Sequence, residues 1–122
     1  MKQEPVKDVI WRVKSWSELG REELYSLLKL RSEVFVVEQD CVYQDLDDKD
    51  KDALHVWMER AGAPAEKGGE ILATTRLLPA GSSYEAEVSI GRVVTAQSLR
   101  RDGWGRELMR RSLDEVHLAW EG

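Results

Sequence analysis

Apolar and polar positions alternate from Val9 to Trp16 (VIWRVKSW), the two-residue period of a strand with one buried face. Leu19-Gly20 reads as a helix entry, and Arg21-Glu22-Glu23 places acids in the first turn, where the helix dipole favours them. Leu24, Leu27, Leu28, Val34 and Phe35 then recur at helical spacing and predict an amphipathic helix to about Val37. Arg31 lies on or beside that apolar stripe. Residues 38–53 are polar and strongly acidic and read as a loop. Leu54–Arg60 predicts a strand with Leu54, Val56 and Met58 on one face and His55 and Trp57 on the other. Ala61–Gly69, with Gly62, Pro64, Gly68 and Gly69, is a turn. Glu70–Leu78 and Glu85–Thr95 are two longer β-like stretches joined at Pro79-Ala-Gly-Ser-Ser. A final helix follows Gly103-Trp-Gly105, with Leu108, Met109, Leu113, Val116 and Trp120 at i, i+3/i+4 spacing.

The predicted order is β-α-(acidic loop)-β-β-β-α, an α/β arrangement in one domain spanning residues 1–122, without repeats or linkers. A helix that follows a strand normally delivers another strand, yet the sequence stops at Trp120-Glu-Gly. It therefore reads as a fragment, a natural truncation, or a domain whose sheet is completed by another chain. An unfinished sheet edge also invites pairing with a second copy, a homodimer.

Composition narrows the class. The chain has 122 residues, the size of one compact domain, and its 42% apolar share supports a core. The longest uncharged stretch, Leu77–Tyr84, is far below the ~20 residues that span a bilayer. The N-terminus lacks the apolar run of a signal peptide. One cysteine, Cys41, cannot form an internal disulfide, and with two histidines it makes poor material for a zinc site. The expectation is a cytoplasmic protein with no metal and no membrane partner.

Charge adds the first functional clue. Residues 100–111 hold Arg100, Arg101, Arg106, Arg110 and Arg111 against Asp102 and Glu107, a local +3 in a chain of net charge −5. A basic cluster in an acidic chain fits one small anionic ligand better than nucleic acid, which would need positive charge over a wider face. Within the cluster, Arg100-Arg-Asp-Gly103-Trp-Gly105 lies between a strand and a helix. Glycines there let the backbone curl and expose consecutive N–H groups, and the helix dipole behind them favours a phosphate. Flanking arginines can add charge-assisted contacts. Helix-breaking glycines beside a solvated arginine face would look the same. A dinucleotide fingerprint would require glycine at Leu108, and no Gly-Lys-Ser/Thr of a P-loop follows.

The pattern Arg/Gln-x-x-Gly-x-Gly/Ala at a strand-to-helix loop resembles the acetyl-coenzyme A motif of the GCN5-related N-acetyltransferases, the GNAT family. Leu28-Lys-Leu-Arg-Ser-Glu-Val-Phe-Val-Val-Glu-Gln39 is similar to the first helix of its ElaA-like branch. Tyr43-Gln-Asp-Leu-Asp47-Asp-Lys-Asp50, His55 and Ile90-Gly-Arg-Val-Val-Thr95 fit the same branch, so the resemblance covers about residues 9–120. It implies a mixed, mainly antiparallel sheet flanked by helices, with the family's C-terminal strands missing. It also implies acetyl-CoA as co-substrate. Val93 and Val94 would then pair through their backbone with the pantetheine arm, like an added strand. The pyrophosphate would lie on the loop of Arg100, Arg101, Gly103, Trp104, Gly105 and Arg106. The family's chemistry is direct attack of a neutral amine on the thioester, for which the protein supplies positioning and proton removal. A helix beyond the present C-terminus often carries the tyrosine that protonates the leaving thiolate.

On the acceptor side, Phe35, Gln39, Tyr43 and His55 occupy segments that border the acceptor cleft in the family. His55 is a candidate base, since its ordinary pKa lies near working pH; a hydrogen-bonded histidine is the plainer reading. Glu87 and Ser89 are alternative proton acceptors, Glu87 equally a solvated strand residue. Cys41 has no basic neighbour to activate it. Arg76 and Arg92 either border the cleft or pair with acids on the sheet. Asp48-x-Asp50-x-Asp52…Glu59 nearly reproduces a calcium loop, but Ala53 stands where glycine is needed and Glu59 lies in a strand. A solvated acidic loop beside a cationic substrate path is preferred. Trp11, Trp57 and Trp120 read as packing residues, while Trp104 either covers the phosphates or lies on solvent. The expected function is acetyl transfer from acetyl-CoA to a primary amine, on a small molecule or a lysine side chain, in a ternary complex. The alternative is a non-catalytic module that keeps the fold and binds acyl-CoA or a protein.

Overall fold

The computed structural model describes residues 8–40, 44–81, 87–100 and 102–120. Strands β1 (Val9–Ser15), β2 (Leu54–Arg60), β3 (Ile71–Leu78) and β4 (Ser89–Thr95) form a sheet in the order β1-β2-β3-β4. All three pairings are antiparallel. Helix α1 (Arg21–Ser32) runs into a π-helical turn, Glu33–Glu38, and helix α2 (Trp104–Trp120) closes the described chain. The helix expected to end near Val37 thus reaches Glu38, its last turn widened so that Gln39 N–H donates to Val34 O at 3.1 Å. No helix among the described residues is long and apolar enough to cross a membrane.

The sheet lies between the helices. On one face Leu27, Leu30 and Val34 of the α1 side pack on Trp57, Ile71 and Val94. On the other, Leu108 and Val116 of α2 pack with Met58, Leu72, Val56 and Leu77. Being covered on both faces explains why β3 is buried at every residue, including Thr74, Thr75 and Arg76, each of which makes hydrogen bonds there. Helix α1 starts where Glu23 accepts the Gly20 N–H at 2.8 Å and the Lys14 ammonium at 2.7 Å, a cap that also ties it to β1. In α2 the buried stripe is Leu108, Ser112 and Val116. The central serine is satisfied because its hydroxyl donates to Leu108 O and accepts from Thr75 Oγ1, each at 2.7 Å.

β4 pairs with β3 on one side only among the described residues. Its pairing is irregular: Thr74 faces Val94 but Arg76 faces Gly91. Thr75 is therefore opposed by both Arg92 and Val93, a one-residue bulge.

The two faces of α2 make a direct test of this packing. Leu108 is fully buried and Leu118 is 78% exposed. Leu108→Ala is expected to cost about 2–5 kcal/mol and to lower Tm by about 8 °C or more in a circular-dichroism melt. Leu118→Ala should stay within about 0.5 kcal/mol of the parent. Equal losses in the two variants would contradict the placement of α2.

Candidate functional site

The acidic segment after α1 is not a solvated loop. Asp45, Asp47 and Asp50 turn inward onto three arginines from α1, β3 and β4. Arg31 donates through Nε to Asp45 Oδ2 at 3.0 Å and grips Asp50 with both terminal nitrogens, at 2.9 and 3.3 Å. Arg76 makes the same fork on Asp47, at 2.7 and 3.0 Å, and reaches Asp50 at 3.2 Å. Arg92 donates to Asp45 Oδ1 at 2.7 Å, Asp45 O at 2.9 Å and Asp47 Oδ2 at 3.3 Å. Three cations and three anions thus alternate in a lattice whose inner members, Arg31, Arg76 and Asp50, are buried and whose outer members, Asp45, Asp47 and Arg92, are half-buried. The expectation of a solvated acidic loop is corrected accordingly: these three carboxylates are paired with arginines and largely withdrawn from water. Asp50 and Glu59, two members of the calcium-like pattern, are committed elsewhere. Glu59 is buried in β2, where it accepts the Trp57 indole N–H at 2.7 Å and the Ala65 N–H at 3.3 Å.

His55 belongs to the same lattice. It is 2% exposed, and its Nε2–H donates to Asp50 O at 3.0 Å, closing the short helical turn Lys49–Asp52. Burial pushes its pKa down, and Arg31 and Arg76 press the same way, against the pull of Asp50. The imidazole is held neutral as a strut between loop and sheet. Glu87 is exposed just before β4, six residues from Val93, which at ~3.3 Å per residue puts about 20 Å of strand between them. Ser89 opens β4 and is half-buried.

At the other end of β4 lies the loop expected to receive the phosphates. Val93 is 42% exposed and Val94 is buried. The chain passes through the turn Gln97–Leu99 to Gly103, whose φ of 82° is left-handed, and enters α2 at Trp104. A Cβ at Gly103 or Gly105 would meet nothing within 4 Å, so the backbone there lies open to solvent. Trp104 sits half-buried with its ring 6.5 Å from Trp11, which places it against the α2-side core rather than over the loop. The arginines are less available than their number implies. Arg100 pairs with Glu38 and with Thr95 O. Arg110 and Arg111 both turn to Glu107, and Arg110 also to Asp114. Those partners hold the Glu107 carboxyl at about 2, the Arg110 hydrogen bond leading. Arg106 is exposed. Phe35, half-buried, and Gln39, exposed, lie on and just after the π-helical turn. Tyr43, Arg101 and Cys41 lie outside the described residues.

Sequence reasoning missed the parts of the lattice that matter most here, Arg31 and Asp45. The available signal was an arginine set in an apolar helical stripe, followed by aspartates at 45, 47 and 50.

Comparison with known proteins places this geometry in context. Residues 21–118 match the acetyltransferase (GNAT) family. Protein ElaA of Escherichia coli K12 is 38% identical over 114 residues, covering 90% of this chain and 68% of its own. The crystal structure of an acyl-CoA N-acyltransferase from Pseudomonas aeruginosa superposes with a TM-score of 0.81 at 40% identity, over 93% of this chain and 73% of that one. The crystal structure of E. coli ElaA gives 0.79 at 36% identity, over 92% and 72%. The chain therefore spans about two thirds of ElaA's length.

The lattice has a pH signature. Burial raises the Asp47 carboxyl, but the Arg76 fork, the Lys49 N–H and the charges of Arg76 and Arg92 outweigh it and hold the group at about 2, against 3.8 ordinarily. Asp50 is likewise lowered: burial opposes ionisation, and Arg31 and Arg76 overcome it. Their stabilisation is complete above pH 3.8 and is lost as pH falls through their folded values. His55 adds an earlier loss, because below its ordinary 6.5 the unfolded chain takes a proton the fold refuses. Tm is expected to be flat near neutrality, to fall below pH 6.5 and to fall more steeply below pH 4. In Asp47→Asn the limb below pH 4 should flatten. An unchanged acid limb in that variant would contradict the pairing.

Proposed function

Because the chain belongs to the acetyltransferase (GNAT) family, we propose that it takes acetyl-CoA as donor and transfers the acetyl group to a primary amine by direct attack in a ternary complex. The observation that carries this reading is the continuous run from the singly paired edge of β4, through left-handed Gly103, to the start of α2. An extended amide-bearing arm fits such an edge as an added strand, with the Val93 and Val94 peptides as its partners. A pyrophosphate fits the following turn, where the N–H groups at the start of a helix face outward. Arg106 is exposed beside them, and Arg100 lies within reach once shared with Glu38.

The acceptor would approach along the π-helical turn, past Phe35 and Gln39. A small-molecule amine and a lysine side chain both meet that description. Buried His55, bonded to Asp50 O, would not meet the amine directly. The amine's proton would leave to water, or through Ser89 or Glu87 by way of water. The chain's own contribution is then to hold thioester and amine together, a gain of geometry rather than of acid–base strength.

Calorimetric titration with acetyl-CoA tests the reading. Saturable binding by the parent is expected, with at least a tenfold loss in Gly103→Val, since valine avoids a φ of 82°. Gly105→Ala is the sharper variant. It fills open space at a helix start, and by propensity alone it should be neutral to stabilising by up to about 1 kcal/mol. Weaker acetyl-CoA binding in that folded variant would place the ligand against this backbone. No binding by the folded parent would remove the coenzyme assignment. Binding without turnover across an amine panel would favour a non-catalytic acyl-CoA-binding module.

A further inference from the structure

The bend in β4 has an unusual occupant. Arg92 has a φ of 49°, in the left-handed region that glycine enters freely and an arginine does not. Gly91 next to it has no such φ. The bend reverses the strand's facing. Ile90 packs with Val116 and Trp120 on the α2 side, while Val94 packs with Leu27 and Leu30 on the α1 side. In a regular strand two residues four apart would share a face. With the bulge, β4 serves both cores, and its extra residue drops out of the β3 ladder.

The side chain of that residue is the one the acidic loop grips. Arg92 Nε and Nη2 bond the carboxylate and the carbonyl of Asp45, at 2.7 and 2.9 Å. Asp45 is held from behind by Arg31, through Nε at 3.0 Å and Nη2 at 3.2 Å. Arg31 is 2% exposed and anchored on Asp50, so the grip is fixed to the core of α1. Of the three lattice arginines, Arg92 alone reaches the loop from a strand that is paired on one side only among the described residues, and alone has a left-handed backbone.

We infer that Arg92 and Asp45 are positioning residues for the coenzyme edge of β4. Their pair holds Arg92 in the left-handed conformation and so fixes the strand's shape just before Val93 and Val94. The inference rests on the coenzyme assignment made above. The pair touches no substrate in this account; it acts through the backbone. A lysine could supply the charge at position 92 but not the forked contact to carboxylate and carbonyl together.

Three variants test it: Arg92→Ala, Arg92→Gly and Asp45→Asn. Each is titrated with acetyl-CoA well below its own Tm and followed by amide hydrogen exchange along β4. Arg92→Ala and Asp45→Asn are expected to weaken binding at least tenfold and to speed exchange at Val93 and Val94 relative to β2. Arg92→Gly lacks the grip but adopts a φ of 49° without strain, so it should recover at least threefold of the affinity lost in Arg92→Ala. A pair that served only global stability would leave affinity unchanged in all three folded variants, which overturns the inference. Affinity in Arg92→Gly no better than in Arg92→Ala also overturns it, since the guanidinium and not the backbone would then be what binding needs. No binding by the folded parent removes the coenzyme assignment instead. The exchange comparison then decides alone whether the pair holds the bend: faster exchange at Val93 and Val94 supports it, and parent-like exchange overturns it. Should Arg92→Ala fail to fold, Asp45→Asn carries both measurements, because it keeps the shape of the side chain.

Discussion

Buried charge is the constraint on which this structure turns. Arg31, Arg76 and Asp50 are each nearly inaccessible to water, and removing such groups from solvent is costly unless every charge is matched and its hydrogen bonds are made. The lattice meets that demand almost completely. Asp45 and Asp50 each serve two arginines, Asp47 serves two, and the forks of Arg31 on Asp50 and Arg76 on Asp47 are bidentate. The buried Arg76 Nε finds no acceptor among the described residues. Because one partner set lies in a loop and the other in α1, β3 and β4, matching the charges and assembling the fold are the same event. Loss of Asp50 would take a partner from two buried arginines at once, the case in which breaking a buried pair costs most, roughly 3–5 kcal/mol.

The regular elements were legible because they follow from periodicity. β1, β2 and β3 begin and end within a residue or so of where alternation and turn residues put them, and the buried stripe of α2 includes Leu108 and Val116 as spacing required. The sheet is antiparallel throughout its described strands, in keeping with short turns between neighbours. What escaped was non-local. Arg31 meets Asp45 across 14 positions, Arg76 meets Asp47 across 29 and Arg92 meets Asp45 across 47. Each residue type was visible, and the acids looked like a solvated loop because nothing local neutralises them. His55 is the same lesson at one residue: its chemistry near neutral pH is a property of the free side chain, and burial removes it. The bend of β4 left no mark at all, since Gly91 is the residue that would be suspected and Arg92 is the one that turns.

The two ends of β4 are held by different kinds of force. Near Gly91 and Arg92 the strand is fixed by short, largely buried charge pairs that salt screens poorly. Beyond Thr95 the chain relies on Arg100 with Glu38, a pair with side chains 40% and 25% exposed, and on pairs along the outer face of α2. Exposed pairs of that kind hold little, typically under about 1 kcal/mol each. An arginine so held can exchange one anion for another at small cost, whereas Arg92 cannot. Under the proposed function the division suits a strand whose middle must keep one shape and whose end must receive a charged group: rigidity would sit where the backbone recognises the coenzyme arm, and adaptable charge where a phosphate would arrive. Glu38 joins the two regions, because the π-helical turn that carries it also carries Phe35, which would border the acceptor under the proposed function. Under that reading the loop after β4 and the π-helical turn are linked through a contact weak enough to rearrange, on a frame that is not.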